Sequence, residues 1–223
     1  EVGGGSGLSL TMLAKEGAEV TNLDISEGAL TFFKYLAERH EVKDSVRTVR
    51  ADFYNTQQGT SRYDLTYNVG VFEHLGPRQS DRLLEEMIRI TKRGGLVMVS
   101  VPNSQSPYYA LMRERERELV SEDKRFPMED YHDVDTVELL KSGGLKPVQD
   151  GTYARGFTLI APPTKIKPGT IKPEDITFFS RLPYNPASSM RELLNAWYLL
   201  EQAAPPKILE RYAMFTHAFG RKA

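Results

Sequence analysis

The stretch Glu1-Val2-Gly3-Gly4-Gly5-Ser6-Gly7 constrains the fold more than any other part of this 223-residue chain. Glycines at positions 3, 5 and 7 let the backbone turn sharply and approach a ligand closely, where any Cβ would collide. An apolar-periodic segment over about Leu8–Glu16 follows at once, so the free amides of a first helical turn point at the same ligand. A strand end, a glycine turn and a helix are the opening of a βαβ unit, so a strand is expected immediately before Glu1. The pattern continues with a strand at Glu19–Leu23 ending at Asp24 and a helix from the N-cap Ser26 to about Arg39. Strands follow at Val46–Arg50 and Asp64–Val69, then a helix at Arg78–Thr91 with Leu83, Leu84, Met87, Ile88 and Thr91 on one face. Gly94-Gly95 is expected to stop that helix, and Leu96–Val101 to be the fifth strand. Short strands alternating with helices predict an α/β fold with a doubly wound, mostly parallel sheet.

After Pro102 the pattern loosens. Residues 103–133 are polar and aromatic, with a charge-dense helix near Leu111–Leu119. Val134–Ser142 reads as a helix closed by Gly143-Gly144, and Leu145–Thr152 as a strand. Residues 162–186 are proline-rich, Ser188–Gln202 reads as a helix, and Tyr212–Arg221 as the last strand. The whole, 1–223, reads as one domain with insertions at 103–133 and 154–210 that could cover an acceptor site or, for the second, pair two copies as a homodimer. Lysine and arginine total 29 against 30 acidic residues, so the basic surplus expected of a nucleic-acid binder is missing. With 40% apolar and 26% charged residues the chain is neither disordered nor fibrous. No apolar run reaches the roughly 18 residues of a membrane span, and no cationic leader opens the chain. Zero cysteines exclude disulfides, thiolate nucleophiles and cysteine-ligated metal, and make a cytoplasmic protein the expectation.

Two acids stand at strand ends. Asp24 lies about twenty residues past the glycine turn, where a carboxylate can accept hydrogen bonds from both hydroxyls of a ribose; its blander reading is a helix N-terminal acid beside Ser26. Asp52-Phe53, after the third strand, can bond an adenine amino group and pack on its ring, and alone would read as a loop acid and a core aromatic. In Tyr63–Leu75 (YDLTYNVGVFEHL) the residues beyond the strand, Phe72, Glu73 and His74, lie where ligands sit in open α/β sheets. Of four histidines, only His74 and His132 are placed to face that crevice; His40 precedes a strand and His217 lies within one. The dinucleotide pattern G-x-G-x-x-G fails at Leu8, which counts against a nicotinamide oxidoreductase.

Taken together these residues resemble the class I S-adenosylmethionine-dependent methyltransferases, in particular the small-molecule group with an E/D-x-G-x-G-x-G turn and an E-H pair after the fourth strand. The resemblance covers Glu1–Gly7, Asp24, Asp52-Phe53, Tyr63–Leu75, Arg93–Pro102 and Tyr212–Lys222. It implies a seven-stranded Rossmann-like sheet and S-adenosyl-L-methionine as cofactor, with S-adenosyl-L-homocysteine as product. It further implies that Gly3, Gly5 and Gly7 line the methionine moiety, that Asp24 holds the ribose, that Asp52 and Phe53 meet the adenine, and that Glu1 and Ile25 also belong to the cofactor site. Val71 and Phe72 would close over the cofactor, Asn68 and Val69 at the strand end would belong to its site, and His132 matches a histidine this group often places before a helix. Relatives with E-x-x-E-H look like metal binders, but the first position of that pattern is Gly70 here, so no metal is expected.

The expected function is methyl transfer to a small-molecule acceptor through an oxygen, nitrogen or carbon nucleophile. Displacement at carbon rests mainly on positioning, and His74 or His132 is the candidate base where the acceptor must lose a proton. A catalytically silent binding module on the same fold is the competing reading, since fold does not fix function. An RNA methyltransferase is disfavoured by the charge balance.

Overall fold

The computed structural model describes residues 1–104, 106, 109, 133–153 and 203–223. The chain divides into two units, Glu1–Val101 with Asp130–Asp150 and Ala218–Ala223, and Pro102–Glu129 with Gly151–His217. In the first unit the elements run α1 (Leu8–Lys15), β1 (Val20–Asp24), α2 (Glu27–Arg39), β2 (Val46–Arg50), β3 (Tyr63–Val69), α3 (Pro77–Ile90), β4 (Thr91–Pro102), α4 (Thr136–Ser142) and β5 (Lys146–Tyr153). The last two elements of the chain are α5 (Pro206–Tyr212) and β6 (Phe215–Arg221).

β1 and β2 pair in parallel, as do β3 and β4, and the second sheet has the order β3-β4-β6-β5. Glu1-Val2 sits between β1 and β3. Val2 forms a parallel bridge with Leu23 and donates its amide to Tyr67 O at 2.8 Å, while Leu23 N donates to Glu1 O at 3.0 Å. These two residues join the two sheets among the described residues.

The helix α3 is strongly amphipathic. Leu83, Leu84, Met87 and Ile90 are buried on one stripe and pack with Val97, Val99 and Val101 of β4 and Leu140 of α4 in the main core. Leu10, Ala14, Val20, Phe33 and Tyr67 form a second cluster between α1, α2 and the sheet. The α2 cap is as read: Ser26 Oγ accepts from Ala29 N at 3.2 Å. For α4 the cap is Asp135, which accepts from Val137 N and Glu138 N at 3.1 and 3.0 Å, so the helix begins two residues later than its apolar pattern suggests.

Two expectations need correction. Gly94-Gly95 does not stop α3: the helix ends at Ile90 and β4 starts at once at Thr91. The pairs Tyr63↔Thr91 and Leu65↔Leu96 leave Asp64 opposite Lys92–Gly95, so the glycines serve a bulge. Gly94 has φ +74°, and a Cβ on Gly95 would stand 2.9 Å from Asp64 O. The chain's end locks this corner. Gly94 N donates to Lys222 O at 2.8 Å, Lys222 N donates to Gly95 O at 3.0 Å, and Lys222 Nζ reaches Ile88 O and Thr91 O at 2.7 Å. Likewise Tyr212–Arg221 is not all strand. Pro206 opens α5, where its missing N–H costs nothing, Ile208 and Tyr212 one turn apart are buried, and β6 begins at Phe215.

In the second unit, Asn103 Nδ2 donates to Ala213 O at 3.0 Å and Ser106 Oγ to Tyr212 O at 3.0 Å, satisfying carbonyls at the end of α5. Most of 103–133 and 154–210, including the expected helices near Leu111–Leu119 and Ser188–Gln202, lies outside the described residues.

Lys222 neutralises carbonyls left over at the end of α3, a favourable place for a cation. Lys222→Met should lower stability by roughly 1–2 kcal/mol, the scale of charge-assisted bonds at a helix end. Urea unfolding checks this through a lower midpoint at unchanged slope.

Candidate functional site

β1 ends at Asp24 and β3 at Val69, and Glu1-Val2 lies between them. Residues just past these ends therefore share one edge of the sheet, the carboxyl edge where open α/β sheets bind ligands. A cleft of about 520 Å³ exists at the other end, lined by Val20, Thr21, Arg62, Tyr63, Leu65 and Thr66 among others. Glu1, Val2 and Leu23 also line it, but neither Asp24 nor the residues after Val69 do.

The glycine turn is built by hydrogen bonds from β1. Gly3 N and Gly4 N donate to Leu23 O at 2.8 and 3.3 Å, and Gly7 N closes the turn on Gly4 O at 2.9 Å. Gly5 has φ +51° and a Cβ added there would meet nothing within 4 Å, so its flank is open. Gly7, with φ +65°, differs: a Cβ would come within 2.2 Å of the Phe33 ring, so this glycine serves the packing of α1 on α2. Gly3 faces Val71, whose Cγ2 would lie 3.0 Å from a Cβ there.

Asp24 is half-buried. Its Oδ2 accepts from Gly5 N and its Oδ1 from Ser26 N, both at 2.8 Å. A carboxylate has about four lone-pair sites, so both oxygens retain acceptor capacity. Beside it Ile25 is 66% exposed. Asp52 is exposed and turns its Oδ1 to Tyr54 N at 2.8 Å. Phe53 packs partly buried against the main core, edge-on to Tyr54 with centroids 4.5 Å apart.

The remaining expected residues are further inside. The Glu1 carboxylate accepts from Ser9 Oγ at 2.8 Å and Tyr67 OH at 3.1 Å. Asn68 is fully buried with Nδ2 donating to Val2 O at 2.5 Å, and Val69 packs against the second cluster. Phe72 is fully buried in the main core, where its ring is a packing element. His132 lies outside the described residues.

Phe72–His74 forms a single 3-10 turn directly after β3. Glu73 is 2% exposed, and its Oε2 has no hydrogen-bond partner among the described residues. Burial pushes its carboxyl up from the usual glutamate range to about 7. His74 Nε2 stands 3.7 Å from Glu73 Oε1, outside hydrogen-bond range but close enough for the two to share one charge environment. Gly70, with φ +77°, stands in the place of the E-x-x-E-H pattern's first ligand. Two residues that sequence reasoning left out of the site matter here, Gly4 and Asn22 of β1; Glu73 was placed at the strand end, but its polarity in a loop gave no signal of its burial.

Residues 1–99 match the family model described as methyltransferase domain. Among solved structures, one of a SAM-dependent methyltransferase from Archaeoglobus fulgidus matches with TM-score 0.56 and 16% identity over 99% of this chain and 84% of that one. A geranyl diphosphate C-methyltransferase from Streptomyces coelicolor A3(2), solved with Mg2+, geranyl diphosphate and S-adenosyl-L-homocysteine, matches with TM-score 0.54 and 14% identity over 100% and 69%. The [4+2]-cyclase SpnF matches with TM-score 0.57 and 13% identity over 99% and 73%. No curated protein matches the chain. The family match covers less than half of the chain, and over its whole length the chain shares the fold of these solved methyltransferases. No helix among the described residues is long and apolar enough to cross a membrane.

The buried Glu73 gives a pH signature. Its folded pKa is raised from 4.5 to about 7, so the folded state holds the proton more tightly than the unfolded one. Stability from this group is full below the unfolded pKa and falls as pH rises from 4.5 to about 7. Glu73→Gln should therefore match the parent in urea unfolding at pH 4.5 and exceed it at pH 8 by roughly 2–3 kcal/mol.

Proposed function

We propose that this protein transfers a methyl group from S-adenosyl-L-methionine to a small-molecule acceptor through an oxygen, nitrogen or carbon nucleophile. The observation that carries the reading is the open flank of Gly5 beside the Asp24 carboxylate, within a stretch that matches the methyltransferase domain model. A bare backbone turn and a carboxylate with spare lone pairs suit a ligand that carries both a chain and a ribose. When bound, the cofactor supplies a methyl carbon made electrophilic by a positively charged sulfur. Asp24 would accept the ribose hydroxyls, with Ile25 beside it, and Gly3 and Gly5 would let the backbone come close. Asp52 and Phe53 would meet the adenine. Glu1, Gly7, Asn68, Val69 and Phe72 would act from behind, by holding the turn and the strand ends.

On the acceptor side, His74 is the candidate base and Glu73 the group beside it. A proton leaving the acceptor would pass to His74 Nε2, and a carboxyl 3.7 Å away with a pKa of about 7 can stabilise the imidazolium once ionised. Segments 103–133 and 154–210 are proposed to supply the acceptor pocket and, in the second, a homodimer contact. His132 belongs to this part of the proposal. The small-molecule class draws on the geranyl diphosphate relative. Placement in the cytoplasm draws on the absence of cysteine.

The same fold in a [4+2]-cyclase makes a silent or repurposed cofactor site the reading to test against. Titration calorimetry with S-adenosylmethionine, S-adenosylhomocysteine and NAD separates the nucleotide classes, and methyl transfer to a metabolite mixture separates enzyme from binding module. Binding of the two sulfur compounds without NAD, and product formation, are expected. Asp24→Ala should weaken S-adenosylhomocysteine by about 1.5–3 kcal/mol with the fold intact. Unchanged affinity would remove Asp24 from the site.

A further inference from the structure

Asn22 and Asp24 are two residues apart on β1, so their side chains leave the same face of the strand. Both reach Gly5. Asp24 Oδ2 accepts from Gly5 N at 2.8 Å and Asn22 Nδ2 donates to Gly5 O at 3.0 Å. The residue with the open flank is thus gripped by its amide and its carbonyl from a single strand. Asn22 is fully buried, in a strand whose neighbours Val20 and Leu23 are apolar core. Burying a carboxamide among them carries a cost unless its bonds are made.

The other half of that carboxamide explains Gly4. Gly4 does not need glycine for its backbone, since its φ is not in the left-handed region where Gly3, Gly5 and Gly7 lie. Space is what forbids a side chain there. A Cβ on Gly4 would stand 2.3 Å from Asn22 Oδ1 and 3.0 Å from its Cγ. Asn22 Oδ1 is buried with no hydrogen-bond partner among the described residues, pressed against the place where that Cβ would be.

We infer that Asn22 is a positioning residue for the cofactor turn, and that Gly4 and Asn22 form one interlocked pair in which the missing Cβ admits the carboxamide that holds Gly5. The interlock stands on geometry alone; its effect on cofactor binding rests on the methyltransferase reading. Aspartate at 22 keeps the shape but turns an acceptor toward Gly5 O. Alanine removes the bond and clears the space in front of Gly4.

Four variants test this: Asn22→Ala, Asn22→Asp, Gly4→Ala and the double Gly4→Ala with Asn22→Ala. Each is measured by calorimetric titration with S-adenosylhomocysteine at a temperature where circular dichroism shows it folded, and by thermal unfolding without ligand. Asn22→Asp and Asn22→Ala are expected to bind about tenfold or more weakly and to raise KM for S-adenosylmethionine more than they lower kcat. Gly4→Ala alone should lower the melting temperature, and adding Asn22→Ala should recover part of that loss, a non-additive result. Additive melting shifts, or a Gly4→Ala variant as stable as the parent, would overturn the interlock. Parent-like S-adenosylhomocysteine binding by both Asn22 variants would overturn the positioning role. If the parent itself fails to bind S-adenosylhomocysteine, the methyltransferase reading falls, while the melting cycle still decides the interlock.

Discussion

The peptide groups of Glu1 through Gly4 are the constraint on which the site depends. On one side Leu23 bonds to Glu1 O and to the amides of Gly3 and Gly4; on the other, Val2 bonds to Tyr67 O. These contacts join the β1-β2 pair to the β3-β4-β6-β5 sheet among the described residues. They also set the register that brings the end of β1 level with the end of β3. Slip it by one residue and each side chain on a strand changes face. Asp24 and Asn22 would then leave the turn, and the carboxylate would no longer meet Gly5.

Two buried glutamates in the same unit show how environment divides structure from chemistry. Glu86 is enclosed by partners: Arg89 Nε at 2.6 Å, Arg89 Nη2 at 2.7 Å and Thr56 N at 2.9 Å. The Arg89 guanidinium holds its carboxyl down to about 2, and the cluster pins the 51–58 loop to α3. Glu73 has burial without an arginine, and its carboxyl rises to about 7. A group left this way lowers stability at neutral pH, and such groups gather at functional sites. Glu86 is therefore read as structural, and Glu73 as the one poised to exchange a proton.

The sequence made the α/β alternation readable because each early element carries its own signal. Ser26 caps α2, β-branched residues mark β2, and the α3 stripe repeats at helical spacing. Asp24 was legible for the same reason, standing at a fixed distance from a glycine turn. What escaped depends on contacts between distant parts. Gly94-Gly95 looks like a helix stop until Lys222, more than a hundred residues on, is seen to bond both Gly95 O and the helix end. Gly7 looks like cofactor lining until Phe33 fills the space beside it. Burial of Glu73 and the grip of Asn22 on Gly5 likewise arise from folding, and no local pattern announces them.

The division of labour along the chain follows from where these constraints fall. Every residue assigned to the cofactor lies between Glu1 and Phe72, inside the stretch that matches the methyltransferase family. There the proposed ligand would be met mostly by backbone, through a turn whose shape is set by hydrogen bonds from β1 and by the absence of Cβ atoms. Backbone recognition asks little of side chains, so a fold shared at 12–16% identity can still present it. The acceptor has no such scaffold. In the proposed reading it would be distinguished by side chains outside that turn, and a cyclase of the same fold illustrates that fold alone does not fix the reaction. In the same proposed reading Glu73 and His74, just past the end of β3, are the groups that would handle the proton of the acceptor.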